Sequence, residues 1–550
     1  MGSAGNDELI RQAELWLADD PDPQTAAELA ALIEKGRGGD WAELAAAFDG
    51  TLAFGTAGLR GRLGAGSNRM NRVVVARAAA GLAAYLRKNR GRSVVIGYDA
   101  RHNSDIFARD TAEIMAGAGI SAMLLPRPLP TPLLAFAIRH LKASAGVMVT
   151  ASHNPPQDNG YKVYLGDGRQ IVPPADGEIS AMIAAAGRAK DLPRSTNYRI
   201  LEEAVVDAYL QRATGLLAPG PRSLRVVYSP MHGVGGELFM RATTACGFPE
   251  PIPVTAQFNP DPDFPTVPFP NPEEPGAIDL SLQVARESAA DIVIANDPDA
   301  DRCAVAIPAG EDWRMLTGDE TGALLGWWTV QRRRARGLSG GVLAQSIVSG
   351  TLLRAIAEDA GMGYMSTLTG FKWISRVPEL VYGYEEAIGY CVDPDAVSDK
   401  DGISAALLLL ELAACLKAQG RGIQDLLDDL YRQFGLYLTG QISMRVADLA
   451  IISDIMTRLR RTPPPDLGGS RVLSVDDLED GIDGLPPADG LRLNMDGARV
   501  IIRPSGTEPK LKCYLQVVVA VEAGTDATRA AATAEMERLK AGVNALLGIA

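Results

Sequence analysis

Apolar runs that end in a polar, glycine-containing loop recur along this chain, and they restrict its fold more than any other feature. Such runs cover residues 145–149, 224–228 and 292–295, and a further one begins near residue 342. Short apolar runs predict buried strands, and strands that alternate with helical stretches predict parallel or mixed sheets. The sequence therefore predicts an α/β fold built from several units of related topology.

The bulk properties describe a folded, acidic protein. The 550 residues suffice for three or four domains of about 150 residues each, and hydrophobic and charged contents of 47% and 22% are typical of globular chains. The net charge of -13 argues against nucleic-acid and membrane partners, which select basic surfaces. The five cysteines are scattered without a CxxC pair, and the N-terminus lacks a signal-peptide pattern. We therefore expect a cytoplasmic protein.

The loop after the first of these strands presents a serine, a histidine and an asparagine in one turn. Residues 150–155 read Thr-Ala-Ser-His-Asn-Pro, which places Ser152 just beyond a strand end. Open α/β sheets bind ligands at such positions. Taken alone, the string fits a capped turn equally well. His153 is interpreted as orienting the loop, because neighbouring side chains on an extended segment point in different directions.

An acidic loop follows the strand at 292–295. Asp297, Asp299 and Asp301 alternate within five residues, and their mutual repulsion favours a bound cation. Oxygen ligands at this density suit Mg²⁺ rather than zinc. An EF-hand is excluded, because Arg302 stands at its glycine position, and a haloacid-dehalogenase loop would have Thr or Val in place of Asp301. A solvated acidic turn is the alternative.

Two further loops offer groups that recognise phosphate or sugar. Residues 503–507 combine an arginine, two hydroxyls and a glycine, which suits a phosphate cradle, although a capped turn is the alternative. Residues 381–390 pair Glu385 and Glu386 with aromatic residues, and carboxylates accept hydrogen bonds from sugar hydroxyls. Adjacent glutamates also occur on ordinary solvated surfaces. Lys400 precedes a predicted helix shortly afterwards.

Together these loops resemble those of the α-D-phosphohexomutase superfamily, the phosphoglucomutase/phosphomannomutase enzymes. Residues 150–155 resemble its phosphoserine loop, 297–302 its metal loop, 385–387 its sugar-binding loop and 503–507 its phosphate-binding loop, all in the family's order. Residues 54–61 extend the match toward the N-terminus.

The strings at 54–61 and 369–372 resemble the branch that holds phosphopentomutase and glucose-1,6-bisphosphate-type mutases, together with bacterial phosphomannomutase relatives. One position departs from many hexomutases, because Ala387 stands where they carry serine. A pentose phosphate therefore competes with a hexose phosphate as the substrate.

The resemblance implies a four-domain architecture around a central cleft, with three related α/β domains that contain mixed sheets and a smaller C-terminal α+β domain. Each domain would contribute one loop to the cleft. The expected domains are 1–219 with a helical N-terminal extension and the phosphoserine loop, 220–328 with the metal loop, 329–445 with the sugar loop, and 446–550 with the phosphate loop.

The resemblance also implies the reaction. A phosphoryl group on Ser152 would pass to a sugar monophosphate, and the resulting bisphosphate would reorient and return its other phosphate. The implied enzyme is a Mg²⁺-dependent phosphomutase that interconverts sugar 1-phosphates and 6-phosphates, or 5-phosphates for pentoses such as ribose. A sugar bisphosphate such as glucose 1,6-bisphosphate would activate it, and it would act as a monomer or homodimer.

The residue roles carried over from the family fall into four groups. They are catalysis by Ser152, Arg60 and Lys162; metal binding by Ser152, Asp297, Asp299 and Asp301; substrate binding by Arg302, Thr369, Gly370, Glu385, Ala387 and Lys400; and phosphate binding by Arg503, Ser505, Gly506 and Thr507.

Two other classes compete with the mutase. A metal-dependent sugar phosphatase with a serine nucleophile would not need the second phosphate cradle at 503–507. A non-catalytic sugar-phosphate sensor would be expected to have lost Ser152 or an aspartate of the acidic loop, and this chain keeps them all.

Overall fold

The computed structural model describes residues 3–446, 448–505, 510–522 and 524–548. The chain divides into two compact units. Unit 1 comprises Met1–Trp313 and Asp393–Glu411, and unit 2 comprises Arg314–Val392 and Leu412–Ala550.

Some helices in the described part of the chain begin at a residue whose side chain caps the first turn. Asp22 caps α2 by accepting a hydrogen bond from the amide of Gln24, with Pro23 in the first turn, and Asn71 caps α4 in the same way. The α-helices are α1 Ser3–Leu17, α2 Pro23–Arg37, α3 Ala42–Ala47, α4 Arg72–Lys88, α5 Ser104–Gly117, α6 Thr131–His140, α7 Ala175–Ala184, α8 Ala204–Thr214, α9 Gly236–Ala245, α10 Thr255–Phe258, α11 Asp279–Ser288, α12 Gly318–Ala335, α13 Leu352–Asp359, α14 Phe371–Ile374, α15 Gly402–Ala418, α16 Ile423–Phe434, α17 Leu449–Arg461 and α18 Thr525–Leu547.

Most of the strands are short. They are β1 Leu59–Arg62, β2 Ser93–Tyr98, β3 Ser121–Leu124, β4 Ala145–Val149, β5 Asp158–Leu165, β6 Arg199–Ile200, β7 Val226–Ser229, β8 Ile252–Pro253, β9 Ile292–Ala295, β10 Ala304–Ala309, β11 Asp312–Met315, β12 Val342–Ser346, β13 Gly363–Thr367, β14 Leu380–Glu385, β15 Gly389–Cys391, β16 Leu436–Arg445, β17 Asp466–Leu467, β18 Ser470–Asp477, β19 Leu491–Met495, β20 Ala498–Pro504 and β21 Lys510–Val519.

The first three sheets share one plan, in which a parallel centre continues into an antiparallel strand on one side. Their strand orders are β1-β5-β4-β2-β3-β6, β11-β10-β9-β7-β8 and β13-β12-β14-β15. In each, the antiparallel partner joins a strand that carries a predicted loop: β5 pairs with β4, β10 with β9, and β15 with β14. The fourth sheet, β16-β21-β20-β19-β18-β17, is antiparallel throughout. Three related α/β sheets and one antiparallel sheet confirm the predicted fold class, whereas the exact domain boundaries stay a prediction.

Both faces of the first sheet are buried, which explains its continuous apolar strands. Val95 and Met148 pack on one face in a core shared with α6 and α8. Val94, Ile96 and Val147 pack on the other face against α4 and α5. Because β2 and β4 are fixed from both sides, the polar residues that follow them lie on a rigid support.

The length and apolar composition of the helices bear on membrane insertion. Within the described residues no single helix is both long and apolar enough to cross a membrane, and α15 and α16 reach that length and composition only as a pair that is bent by 91°.

Candidate active site

The serine loop leaves the end of β4 and brings Ser152 beside the acidic loop within unit 1. Ser152 is 3% exposed, and its hydroxyl donates a 2.7 Å hydrogen bond to Oδ2 of Asp297. The amide of Ser152 donates to Oγ1 of Thr150 at 2.9 Å, which tightens the turn. The backbone of Ser152 is left-handed, with φ 52°. Sequence reasoning predicted this serine at a strand end, and the structure places it against a carboxylate.

The neighbouring strand passes close behind this loop because of a glycine. A Cβ at Gly160 would lie 2.5 Å from the carbonyl oxygen of Thr150, so only glycine fits at this point of β5. The same strand carries Lys162, two residues further on, opposite Met148 of β4. Close approach of β5 therefore brings Lys162 to the strand end that carries Ser152.

The three aspartates of the acidic loop are buried together after β9. Asp297, Asp299 and Asp301 are at most 1% exposed, and one oxygen from each lies within 4.8 Å of the others. Asp299 is further fixed by Thr131 at the start of α6, whose hydroxyl donates to Oδ2 at 2.6 Å. Positions i, i+2 and i+4 thus form one cluster, as the sequence predicted.

Basic side chains contact the cluster. Nζ of Lys162 donates to Oδ2 of Asp299 at 2.7 Å and to Oδ2 of Asp301 at 3.1 Å. Nζ of Lys400 lies 3.0 Å from Oδ2 of Asp301. Nε of Arg302 lies 3.9 Å from Oδ1 of Asp301. The structure therefore brings three of the predicted basic residues to the carboxylates.

Burial and these charges separate the aspartates electrostatically. Burial, reinforced by the charges of Asp299 and Asp301, raises the pKa of Asp297 well above its ordinary value. Burial also acts to raise the pKa values of Asp299 and Asp301, but both fall below the ordinary value because Lys162 lowers them, together with Lys400 and Arg302 in the case of Asp301. Burial acts to lower the pKa of Lys162, but the two carboxylates raise it above its usual value. Lys162 is thus a charged hydrogen-bond donor here.

The carboxylate oxygens of the three aspartates suit a hard divalent cation as ligands. Oδ1 of Asp299 and Oδ1 of Asp301 are buried and accept no hydrogen bond. Buried carboxylate oxygens without a donor are costly unless a cation contacts them. All ligand atoms are oxygens, which Mg²⁺ prefers. Among the described residues, this is the group of acidic, histidine or cysteine side chains whose ligand atoms are close enough to share a metal.

Arg60 contacts the serine loop, and His153 is part of that loop. Nη1 of Arg60 donates to Oδ1 of Asn154 at 3.2 Å. Nδ1 of His153 lies 3.2 Å from Oγ of Ser152. Burial and the charges of Arg302 and Arg60 lower the pKa of His153 well below its ordinary value, so the ring is neutral. A neutral ring suits the orienting role interpreted from the sequence.

Sequence reasoning missed the residues that hold the two acids on either side of Lys400. Asp399 accepts hydrogen bonds from the hydroxyl of Tyr164 and from the side-chain amide of Gln170, both at 2.8 Å. Asp401 accepts from the hydroxyl of Tyr209 at 2.9 Å. The sequence signal was the Asp-Lys-Asp string, in which acids flank the lysine, but partners about 190 to 235 positions away were not recognisable. It also missed Arg101, which lies behind the serine loop.

In unit 2, two of the predicted sugar-binding residues contact each other. Oε1 of Glu385 accepts a 2.7 Å hydrogen bond from the amide of Gly370, which joins two of the predicted positions. Thr369 and Ala387 are half-buried beside them in sequence. The neighbouring Glu386 accepts from the hydroxyls of Ser346 and Ser349 at 2.8 and 3.0 Å. Glu386 therefore anchors the loop that carries Glu385.

Only part of the predicted phosphate-binding loop lies within the described residues. Arg503 lies in β20 opposite Lys512, and the amide of Ser505 donates to the carbonyl of Lys510 at 2.8 Å. Tyr514 lies within electrostatic range of both Arg503 and the sugar loop. Burial and the charge of Glu386 raise the pKa of Tyr514, and Arg503 acts to lower it. The predicted Gly506 and Thr507 lie outside the described residues.

Comparison with known proteins gives one consistent family. Four family models match in order: "Phosphoglucomutase/phosphomannomutase, alpha/beta/alpha domain I" at residues 51–190, domain II at 207–310, domain III at 317–434, and the C-terminal domain at 457–540. A "Probable phosphomannomutase" of Haemophilus influenzae is 51% identical over 454 residues, covering 81% of this chain and 92% of that protein.

Two other similarities extend over most of the chain. A Saccharomyces cerevisiae "Phosphoribomutase" is 36% identical over 576 residues and covers 91% of each protein. A solved phosphoglucomutase/phosphomannomutase family structure from Burkholderia thailandensis superposes with a TM-score of 0.69 over 90% of this chain and 97% of that one; at 21% identity it supports the fold alone. With four matching domains and a relative at 51% identity, the chain belongs to the phosphoglucomutase/phosphomannomutase family.

Proposed function

We propose that this protein is a sugar phosphomutase that interconverts hexose 1-phosphates and 6-phosphates, as a phosphoglucomutase/phosphomannomutase does, with Ser152 as the phosphate carrier. The observation that carries the proposal is the 2.7 Å hydrogen bond from Ser152 to Asp297 inside a buried cluster of acids and bases. Family membership supports the same activity. An enzyme of this kind belongs to the isomerase class.

The site is suited to moving a phosphoryl group reversibly. In the forward transfer, the phosphorus–Oγ bond of phospho-Ser152 breaks as a bond forms to a sugar hydroxyl oxygen, and the sugar's proton ends on the serine oxygen. The reverse transfer from the other phosphate of the sugar bisphosphate restores phospho-Ser152. Such transfers depend chiefly on positioning and on neutralising charge. Lys162, which contacts Asp299 and Asp301, and Arg60, which contacts Asn154 of the serine loop, would supply positive charge and hydrogen-bond donors.

Mg²⁺ would be held by Asp297, Asp299, Asp301 and a phosphate oxygen on Ser152, where it would neutralise charge on the transferring group. The two buried carboxylate oxygens that accept no hydrogen bond support this assignment. Arg302 and Lys400, close to the same carboxylates, are proposed to contact the substrate's phosphate.

In unit 2 the proposed roles are recognition rather than chemistry. Glu385, together with Thr369, Gly370 and Ala387, would accept the sugar. Arg503 and Ser505, with Gly506 and Thr507, would hold the phosphate that is not reacting. A protein that holds two phosphates at once needs such a second phosphate site, which favours a mutase over a phosphatase.

A pentose phosphate is the second candidate substrate. Ala387 lacks the hydroxyl that many hexomutases place there, and a relative named phosphoribomutase covers 91% of this chain. Activation by a sugar bisphosphate, monomeric or dimeric assembly, and a cytoplasmic location without nucleic-acid or membrane partners stay predictions from the sequence.

The test compares glucose 1-phosphate, mannose 1-phosphate and ribose 1-phosphate as substrates, with Mg²⁺ and a catalytic amount of the matching bisphosphate. We expect a 6-phosphate product from a hexose, and Ser152→Ala should lower turnover by at least roughly 10³-fold, because the carrier is lost. Ser144→Ala, which alters a hydroxyl bonded to the amide of Arg92, serves as the control. Release of inorganic phosphate without an isomerised sugar phosphate would contradict the mutase assignment.

A further inference from the structure

The conformation of Ser152 requires support from outside its own loop. Its φ of 52° lies in the left-handed region, which costs a non-glycine residue roughly 1–2 kcal/mol. Within the loop, the amide of Ser152 bonds Thr150 and the amide of Asn154 bonds the carbonyl of Ala151. These bonds close the turn, but they do not involve the carbonyl oxygens of Ser152, Asn154 and Pro155, which accept hydrogen bonds from a donor outside the loop.

The side chain of Arg101 supplies those donors. Its Nη2 donates to the carbonyl oxygens of Ser152 at 2.7 Å and Asn154 at 2.5 Å. Its Nη1 donates to the carbonyl oxygens of Pro155 at 2.8 Å and Asp158 at 3.2 Å. One guanidinium therefore bonds four carbonyls between the residue that carries the nucleophile and the start of β5.

Arg101 is itself held in place on every side. Its side chain is 1% exposed, and Nε lies 3.4 Å from Oδ2 of the equally buried Asp99. The other oxygen of Asp99 accepts from the amide of Arg101 at 3.1 Å and from the hydroxyl of Ser104 at 2.7 Å. The guanidinium also lies over the ring of Phe264, 4.8 Å from its centre. The support is thus rigid as well as close.

A second arginine in unit 1 shows what an ordinary structural ion pair looks like. Arg72, at the start of α4, uses Nε and Nη2 to bond both oxygens of the buried Asp110, at 2.7 and 2.8 Å. Its donors go to a carboxylate. Arg101 instead turns its paired donors away from Asp99 and onto the loop of Ser152. Arg101 therefore does more than balance a buried acid.

We propose that Arg101 is a positioning residue for phosphoryl transfer: through the backbone carbonyls of residues 152–158 it fixes Ser152 in the left-handed conformation that aims Oγ at Asp297. This inference rests on the proposed role of Ser152 as phosphate carrier. The planar fork of a guanidinium is required, because a lysine ammonium carries its donors at one point and cannot reach four separated carbonyls.

The experiment compares Arg101→Lys, Arg101→Ala and the control Arg72→Lys with wild type. Misplacing a reacting group by about 1 Å costs on the order of 10²-fold in rate, so we expect kcat of both Arg101 variants to fall roughly 10²-fold. KM should change by less than about threefold, because the sugar contacts are untouched. Arg72→Lys should lower the unfolding midpoint while leaving kcat within about twofold of wild type.

Two further readouts separate positioning from general damage. Added guanidinium ion should raise kcat of Arg101→Ala by about tenfold, by filling the vacated site, and should not raise that of wild type. Intact-mass measurement should show phosphate on Ser152 in wild type, and slower loss of that phosphate to substrate in Arg101→Lys. If Arg101→Ala does not fold, Arg101→Lys alone decides.

The failures of the two proposals are distinguishable. Normal wild-type turnover with an unchanged kcat in folded Arg101→Lys, or a change confined to KM, would overturn the role of Arg101 alone. A wild-type enzyme that turns over without ever carrying phosphate on Ser152 would overturn the proposed mechanism and this inference with it.

Discussion

Each unit contains a group of neighbouring acids, but different partners surround the two groups. Charged amines contact the acids of unit 1, and neutral hydrogen-bond donors contact those of unit 2. In unit 1, Asp299 and Asp301 face the charged amines of Lys162 and Lys400, yet each keeps one buried oxygen without a hydrogen bond. In unit 2, Asp319 accepts from the amide of Gly350 at 2.6 Å and from the hydroxyl of Tyr384 at 3.0 Å. Glu386, in turn, is bonded by serine hydroxyls.

The difference indicates which group is built for a cation. Neutral donors satisfy a carboxylate without drawing in a metal, and they leave the acid's charge to be removed by protonation. Burial and the charge of Glu386 accordingly raise the pKa of Asp319 to about 6. In unit 1 the pKa values of Asp299 and Asp301 are lowered, although that of Asp297 is raised, so these two acids stay ionised and can attract a divalent ion.

The largest expected effect comes from neutralising one acid of the unit 1 group. Asp301→Asn should reduce kcat by roughly 10²–10³-fold, because a site that loses one charge holds Mg²⁺ poorly and stabilises the transferring phosphoryl group less. The measurement is kcat against Mg²⁺ concentration. The matched substitution in unit 2, Asp319→Asn, should keep the wild-type Mg²⁺ dependence. An Asp301→Asn enzyme with unaltered Mg²⁺ dependence would remove the distinction between the two groups.

Metal removal should show the same contrast in stability. A ligand present at 100 times its dissociation constant stabilises the folded state by about 2.7 kcal/mol. We therefore expect chelator-treated protein to gain about that much on adding saturating Mg²⁺, as measured by denaturant unfolding.

The variants give the control for this measurement. Asp301→Asn should lose most of the gain, and Glu386→Gln should retain it. An equal gain in all three proteins would place the bound ion elsewhere.

A smaller effect is expected from the acceptor role of Glu386. Glu386→Ala leaves the hydroxyls of Ser346 and Ser349 without this acceptor and should cost about 1–3 kcal/mol of unfolding free energy. Glu386→Gln keeps an acceptor oxygen and should cost less than half as much. Equal losses for the two variants would mean that the charge of Glu386, rather than its hydrogen bonds, supports the loop.

The smallest effect is a pH dependence that Asp319 confers on unit 2. A raised pKa means that the folded state binds the proton more tightly, so stability is greatest below the ordinary value of 3.8 and declines as pH rises toward about 6. We expect a loss of about 1 kcal/mol across this interval, since Asp319 is only half-buried and water screens its charge.

Comparing Asp319→Asn with wild type isolates this contribution. The difference in unfolding free energy between the two proteins should change across the interval and be constant above it. A difference that is independent of pH would show that Asp319 is ionised throughout.

The parts of the site that sequence reasoning recovered are those in which neighbouring residues carry the chemistry. Asp297, Asp299 and Asp301 are so close in sequence that their mutual repulsion can be inferred from the sequence alone. The strand before them was recognisable from its apolar run. The parallel centres of the first three sheets followed from the alternation of strands and helices. In each case the interacting groups lie close together along the chain.

What sequence reasoning missed depends on contacts between distant positions. Arg101 bonds carbonyls 51 to 57 residues away, and a backbone carbonyl has no sequence signature. Of the two adjacent glutamates, Glu386 is fastened to Ser346 and Ser349, 40 and 37 residues earlier. Which partners each glutamate bonds depends on residues distant in sequence, which the pair itself does not reveal.

The left-handed backbone of Ser152 also limits which residue can serve in its place. Threonine carries the same hydroxyl, but its second branch at Cβ makes a φ of 52° more costly than it is for serine. A phosphothreonine carrier is therefore disfavoured by shape, although its chemistry would be equivalent. Main-chain geometry thus restricts the choice of residue at this position in addition to reactivity.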